Sequence, residues 1–133
     1  MDFTTECAVP GLLGEPLERA AALFSGVREI SSEYGRTVHG TLTLGGVDRL
    51  VAASTTGDRT SYLNVDVTAG DTFCGVPLAN TPIRVQRLLH DRGIETTLDD
   101  QELVVVGHPV GMYIFENEVN GVSWSLPDEE VAE

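Results

Sequence analysis

Residues 37–46 read TVHGTLTLGG, and this stretch decides the fold because polar and apolar side chains alternate along it with a period of two. Val38 and Leu42 fall on one side of the predicted strand, and the Gly45-Gly46 pair ends it. A strand with one apolar and one polar side is typical of an antiparallel sheet that is solvated on one face.

The same alternation continues in residues 49–54 and 60–67, which a turn at Gly57 separates. We therefore predict an antiparallel meander of three strands. Its wet face carries a mixed polar set that is able to line a ligand groove, although exposed Thr and Tyr are also ordinary strand formers. The members of this set are His39, Thr41, Thr43, Tyr62, Asn64 and Asp66.

Two helices are predicted, one before and one after the meander. Apolar residues recur at three- and four-residue steps between Pro16 and Gly35, which indicates an amphipathic helix over this range. Thr81 and the proline after it are typical of a helix start, so a second helix is predicted over residues 82–92, ending at Gly93.

Further strands follow the second helix. Residues 94–98 and 102–106 predict one hairpin, and the Asn120-Gly121 pair predicts the turn of another. The element order is thus α-β-β-β-α-β-β-β-β. This order predicts an α+β fold in which two helices pack on one face of a largely antiparallel sheet of about six to seven strands.

The length favours a single domain. The chain has 133 residues, of which 41% are hydrophobic, and this is enough for one ordinary core. We expect residues 1–133 to form one α+β domain, with residues 127–133 as a frayed acidic tail.

The charge balance is the most unusual feature of the composition. The chain has 21 acidic and 8 basic residues, giving a net charge of −13, and it contains no lysine. Molar salt shortens the Debye length to about 3 Å and removes most of the resulting self-repulsion, so this surface suits a salt-accumulating cell. The alternative is a GC-rich genome that encodes Arg in place of Lys, with an acidic surface that serves only solubility.

Charge and hydropathy also argue against several kinds of partner. Nucleic acid and anionic membranes both require local cationic surface, so we expect neither as a partner. The N-terminal residues lack the basic head and apolar stretch of a secretory signal, and the sequence has no run of 18 apolar residues. We expect a cytoplasmic protein.

Several kinds of chemistry lack the residues that they require. Without lysine there is no Walker phosphate loop and no Schiff-base nucleophile, and no G-x-S-x-G motif occurs. The two cysteines and three histidines stand at no recognised ligand spacing. We therefore expect no metal and no cofactor.

Cys74 is the one candidate nucleophile, because it lies in a loop before a helix where a thiolate could be stabilised. His90 and His108 are the candidate bases, although nothing in the spacing selects a pair. A packed structural cysteine is the interpretation that we favour, and a thiol-dependent enzyme is the alternative.

Arg84 and Arg87 lie on the second predicted helix of an otherwise acidic chain. Guanidinium groups bind carboxylates and phosphates, so these two residues are candidates for binding a ligand or partner. The alternative without a binding role is a solvated helix face on which Arg87 pairs with Asp91. A nucleic-acid-binding regulator that uses residues 82–92 is a further alternative.

These observations favour a small, non-catalytic binding or adaptor module that meets a protein partner. A short chain with two hairpins and a meander leaves sheet edges unpaired, and such edges are usually covered, charged or paired with another copy. We therefore expect a homodimer.

The acidic composition predicts a response to salt. If the surface is a halophilic adaptation, the melting temperature should rise as potassium chloride is raised from tenths molar to molar concentration, because screening reduces self-repulsion. Thermal melts followed by circular dichroism would measure this. A melting temperature that is flat or falls across the range would contradict the halophilic interpretation.

Overall fold

The structure is a computed structural model that describes residues 1–5, 7–33 and 35–126. The chain divides into two compact units. One unit contains Met1–Cys7 and Asp66–Ser123, and the other begins at Ala8, runs to Val65 and resumes at Trp124. The acidic tail that was expected at 127–133 lies outside the described residues.

The unit that starts at Ala8 contains the predicted meander. Its strands follow the order β1-β2-β3-β4, and each neighbouring pair is antiparallel. A short 3-10 helix precedes α1. The elements are the 3-10 helix Val9–Leu12, α1 Leu17–Leu23, β1 Ser25–Ser32, β2 Gly35–Leu44, β3 Val47–Thr56 and β4 Arg59–Asp66, whose last residue falls in the other unit.

The period-two pattern explains the core of this unit. Val38 lies opposite Ala53, which in turn lies opposite Leu63, and all three side chains are fully buried. Because opposing residues of an antiparallel pair point to the same face, this row forms the centre of the buried side of the meander. The predicted alternation of buried and solvated faces is thus observed.

The prediction of one long helix over residues 16–35 was wrong after Leu23. The chain becomes extended at Phe24, and Gly26 has a φ of +62°, which a helix does not allow. Residues 25–32 form β1 instead and pair with β2. The spacing of the apolar residues fits a helix, but it does not register the pairing with the next strand of the chain, which stabilises β1.

The other unit contains the second helix and the remaining strands. Its four longer neighbouring strands follow the order β10-β9-β8-β7, and β5 and β6 form a separate hairpin. The inner side of α2 carries Val85 and Leu89, which are both buried. The elements are β5 Thr72–Phe73, β6 Val76–Pro77, α2 Pro82–His90, β7 Thr96–Leu98, β8 Glu102–Val105, β9 Val110–Phe115 and β10 Glu118–Ser125, whose last two residues fall in the other unit.

The last predicted turn was assigned to the wrong residues. Asn120 and Gly121 lie inside β10, and the chain turns instead at Glu116 and Asn117, which have φ values of 52° and 61°. Two consecutive positive φ angles are the conformation of a type I′ hairpin turn. The amide group of Asn120 donates a hydrogen bond to the carbonyl of Phe115 at 2.8 Å, so it supports this turn from within the strand.

The fold class is α+β, as the sequence predicted, with two α-helices packed with a largely antiparallel sheet. The main sheet has eight strands, compared with the six to seven that were expected. The additional elements are β1, where a helix was predicted, and the β5–β6 hairpin, which lies in the predicted loop around Cys74.

A side chain introduced at Gly40 on β2 should measurably lower the stability of the protein. A Cβ atom at this position would lie 2.8 Å from the carbonyl oxygen of Ser25 and 2.9 Å from the Cβ of Phe24. Gly40→Ala should therefore lower the free energy of unfolding by about 1–3 kcal/mol, because the backbone at the start of β1 must shift. Urea denaturation would measure the change.

Gly11→Ala is the matched control, since a Cβ at Gly11 would meet nothing within 4 Å. This variant should stay within about 0.5 kcal/mol of the parent protein. Equal effects of the two substitutions would contradict the steric explanation.

Candidate functional site

The register of the meander fixes which side chains share its outer face, by which we mean the face that carries His39. His39 on β2 lies opposite Ala52 on β3, and Ala52 lies opposite Asn64 on β4. Arg28 on β1, the strand that flanks β2 on the side away from β3, also lies opposite His39. His39 and Asn64, both identified in the sequence, therefore share one face, and Arg28 joins them.

A second row of the outer face brings in Tyr62. Thr37 lies opposite Ser54, and Ser54 lies opposite Tyr62. The hydroxyl groups of Thr37 and Ser54 are 3.0 Å apart, which links β2 to β3 through a side-chain hydrogen bond. Asp66, another member of the predicted polar set, is the last residue of β4, is half-buried and belongs to the other compact unit.

The outer face also carries apolar side chains that the sequence analysis did not select. Ile30 lies opposite Thr37, and Leu50 lies opposite Thr41. Ile30 is 61% exposed, Leu50 is 64% exposed and Tyr62 is 39% exposed. Leu50 could have been found from the alternation in β3, whereas Ile30 was assigned to the interior of a helix.

These residues border an open groove of about 350 Å³ on the same unit. Its walls combine a cation, an imidazole and apolar side chains, which is a composition that suits contact with a polypeptide rather than with a small charged ligand. The lining residues are Gly26, Arg28, Ile30, His39, Gly40, Thr41, Leu50 and Val51.

Strand β1 forms one border of this groove and is the terminal strand of the sheet order. All eight of its residues are exposed. Arg36 on β2 holds β1 in place by donating hydrogen bonds to Glu29 at 2.6 Å and to Glu18 of α1 at 3.0 Å. The hydrogen bond to Glu29 is the largest cause of the raised pKa of Arg36.

The predicted arginine helix is observed as α2, with Arg84 and Arg87 both exposed. Arg87 lines a groove of about 340 Å³ beside β7, and His90 lines the same groove. His90 contacts Glu95, with 2.9 Å between Nδ1 and Oε1. Within the described part of the chain, no ion pair joins Arg87 to Asp91.

Cys74 lies at the tip of the β5–β6 hairpin. Cys74 and Gly75 have φ values of 50° and 77° and form its two-residue turn. The carbonyl oxygen of Cys74 accepts a hydrogen bond from Nη1 of Arg92 at 2.9 Å, so the guanidinium group lies against the turn. A Cβ at Gly75 would stand only 2.8 Å from the same nitrogen atom.

Asp2 of the N-terminal segment accepts hydrogen bonds from the β5–β6 hairpin. These contacts were not predicted from the sequence. The carboxylate of Asp2 accepts hydrogen bonds from the hydroxyl of Thr72 at 2.7 Å and from the amide of Gly75 at 2.9 Å, and Thr4 also donates to it. Desolvation alone would raise the pKa of Asp2, but these hydrogen bonds outweigh it and hold the pKa well below its usual range.

No catalytic arrangement forms around Cys74 in the described part of the chain. His90 pairs with Glu95, and His108 lies exposed in the turn between β8 and β9, where its amide donates to the carbonyl of Val105. Among the described residues, neither imidazole is hydrogen-bonded to the thiol. The same residues contain no group of three or more His, Cys, Asp and Glu side chains that could hold a metal ion.

No protein-family model, no curated protein and no solved structure matches this chain. None of the described helices is both long enough and apolar enough to cross a membrane. The candidate sites therefore rest on the geometry of the chain itself.

The surroundings of Cys74 predict that neither histidine assists its thiol. In a Cys7→Ser background, which leaves Cys74 as the only thiol, His90→Gln and His108→Gln should leave the rate of modification by a disulfide reagent unchanged. Absorbance at neutral pH would follow the reaction. A loss of about tenfold in either variant would instead indicate a thiol and imidazole pair.

Proposed function

We propose that this protein is a small, non-catalytic binding module that forms a homodimer through β1 and the outer face of the meander. The observation that carries this proposal is a fully exposed terminal strand that presents Ile30, on a face that also exposes Leu50 and Tyr62. The composition supports a cytoplasmic, salt-rich setting, where a second acidic copy can approach because its charge is screened.

An open strand edge is a template for another strand, because its outward backbone groups have no partner strand. A second copy supplies a strand of the same length and sequence, and two-fold symmetry makes the contact self-complementary. We therefore infer that β1 of one copy pairs antiparallel with β1 of the other.

The charges on β1 favour one register for this pairing. When Ile30 lies opposite Ile30 of the other copy, Arg28 faces Ser32 and Glu29 faces Ser31, so no like charges meet. A register centred on Glu29 would place two carboxylates directly opposite each other, which is destabilising. In the favoured register the two outer faces lie on the same side of the joined sheet. The two Ile30 side chains meet there, whereas Leu50 on β3 and Tyr62 on β4 lie further from the contact.

Neither alternative function has comparable support among the described residues. The thiol enzyme lacks a base in contact with Cys74. For a nucleic-acid-binding regulator, α2 has only nine residues, and Glu95 lines the groove beside Arg87. A carboxylate in that position would repel a phosphate backbone.

Ile30→Glu tests the homodimer. The parent protein in molar potassium chloride at micromolar concentration should have twice the chain mass by light scattering. The variant should be monomeric, because the pairing would place the two introduced carboxylates opposite each other. Its melt in dilute solution should show that the chain still folds.

Leu23→Glu is the matched control, since Leu23 is also an exposed apolar residue of this unit but lies at the end of α1. This variant should remain dimeric. A monomeric parent protein, or loss of the dimer in both variants, would overturn the proposed interface.

A further inference from the structure

Two groups that can carry positive charge lie side by side in the groove on the outer face of the meander. Arg28 on β1 and His39 on β2 are opposite each other, are both exposed and both line the groove. Among the described residues, neither side chain has a hydrogen-bond or ion-pair partner. An unpaired guanidinium group beside an imidazole can bind a carboxylate.

No acidic side chain opposes this charge within the groove, because its lining contains neither Asp nor Glu. Glu29, the next residue of β1, lies opposite the buried Val38 and therefore points to the other face, where Arg36 binds it. Asp48 on β3 lies beyond the groove and accepts a hydrogen bond from Thr43. A chain with a net charge of −13 thus presents a cationic spot on this face.

Apolar side chains lie on both sides of the cationic spot. Ile30 follows Arg28 by two residues along β1 and forms one flank. Leu50 on β3 forms the other flank, since it lies opposite Thr41, two residues beyond His39 on β2. Side chains on one face of a strand repeat at about 7 Å, so the groove shows an apolar, a cationic and an apolar row at this spacing.

The proposed dimer leaves this surface accessible on each copy. In its register Arg28 faces Ser32 of the other copy, and the two Ile30 side chains meet at the contact. His39 lies one strand and Leu50 two strands away from β1, which places Leu50 about 10 Å from the joined edge. The outer face therefore needs a further occupant.

Building on the proposed binding role, we propose that the outer face of each copy binds an extended segment of a partner protein. The segment carries an acidic side chain between two apolar ones, at alternate positions. The acidic side chain contacts Arg28 and His39, and the apolar side chains cover Ile30 and Leu50. An extended segment repeats its side chains on one face every two residues, so its spacing matches the three rows.

The composition of the rows favours an acidic polypeptide over a nucleic acid. Proteins that bind a phosphate backbone neutralise about six to ten phosphates, whereas this face offers one guanidinium group and one imidazole. The apolar rows match apolar side chains and would leave a phosphate backbone without partners. At about half-molar salt the Debye length is about 4 Å, so the distant acidic residues of the chain no longer repel an acidic segment.

Amide chemical-shift titrations of the isotope-labelled full chain with blocked peptides test this surface. At about half-molar potassium chloride, Leu-Ser-Glu-Ser-Leu should bind about threefold or more tightly than Leu-Ser-Lys-Ser-Leu. The net charge of −13 favours the opposite order, so this comparison separates a local site from general attraction. The shifts should map to residues 28–30, 37–41 and 50–52.

Ser-Leu-Glu-Leu-Ser is the control for spacing. It has the same composition as the first peptide, but an extended conformation places its leucines on the side opposite to its glutamate. It should therefore bind more weakly than Leu-Ser-Glu-Ser-Leu.

Arg28→Gln tests the charged contact. This variant should weaken binding of Leu-Ser-Glu-Ser-Leu by about threefold and remove its advantage over the lysine peptide. Arg19→Gln is the matched control, because it removes the same charge from an exposed position on α1 of the same unit that does not line the groove. The control should keep the preference of the parent protein.

His39 should make binding depend on pH. Protonation in mildly acidic solution adds a second positive charge, so the glutamate peptide should bind about twofold more tightly at about pH 6 than at about pH 8. His39→Gln should remove this difference. Apart from Arg28, the residues that face His39 are uncharged, namely Thr37 and Thr41 on β2, Ile30 on β1, and Leu50, Ala52 and Ser54 on β3.

Amide spectra of the three variants would show that each is folded. Equal or tighter binding of the lysine peptide, equal binding of the respaced peptide, shifts confined to other surfaces or no binding would each overturn the proposal. The same effect from Arg19→Gln and Arg28→Gln, or a pH response that His39→Gln retains, would also overturn it.

Light scattering on the same samples reports the dimer separately. A chain of twice the monomer mass that binds no peptide would overturn the peptide site alone. A monomer that binds the glutamate peptide as described would overturn the proposed interface alone.

Discussion

The missing side chain of Gly40 is the constraint on which the surface of the meander depends. The chain leaving α1 passes so close to β2 that the carbonyl of Ser25 and the Cβ of Phe24 occupy the space that a methyl group at position 40 would need. This close approach allows β1 to start beside β2 directly after the helix. Arg36 then secures the strand further along through its hydrogen bonds to Glu18 and Glu29. The exposed edge and the outer face are consequences of this placement.

Much of the fold follows from local sequence patterns because those patterns coincide with burial. The alternation in residues 37–44 and 60–66 correctly predicted that Val38, Leu63 and Val65 are buried, although Thr60 is buried as well, and Thr81 and Gly93 correctly bracketed α2. The pattern failed in residues 25–32, where apolar spacing compatible with a helix coexists with Gly26. Pairing with β2, the next strand in the chain, decided the outcome, and the spacing of the apolar residues does not register this hairpin.

The candidate sites, too, were predicted only where a local sequence pattern determines the structure. His39, Tyr62 and Asn64 were placed together because a two-residue period alone determines the face of a strand. Ile30 could not join them, since its strand was read as a helix. Arg87 was identified on the second helix, and the turn that carries Asp100 lies between the two predicted strands 94–98 and 102–106. The sequence did not show that Ile83 of α2 lines a groove with each of them, because this depends on how the helix packs.

The hairpin tip at Cys74 and Gly75 has a consequence for how this sequence can vary. Nη1 of Arg92 lies against the turn at a point where any side chain at position 75 would collide with it. We therefore expect substitutions at positions 75 and 92 to depend on each other, although the two positions lie on opposite sides of α2 in sequence. A related chain that carries a side chain at position 75 must replace the arginine at position 92 or redirect it, and joint substitution at these two positions would be the mark of that history.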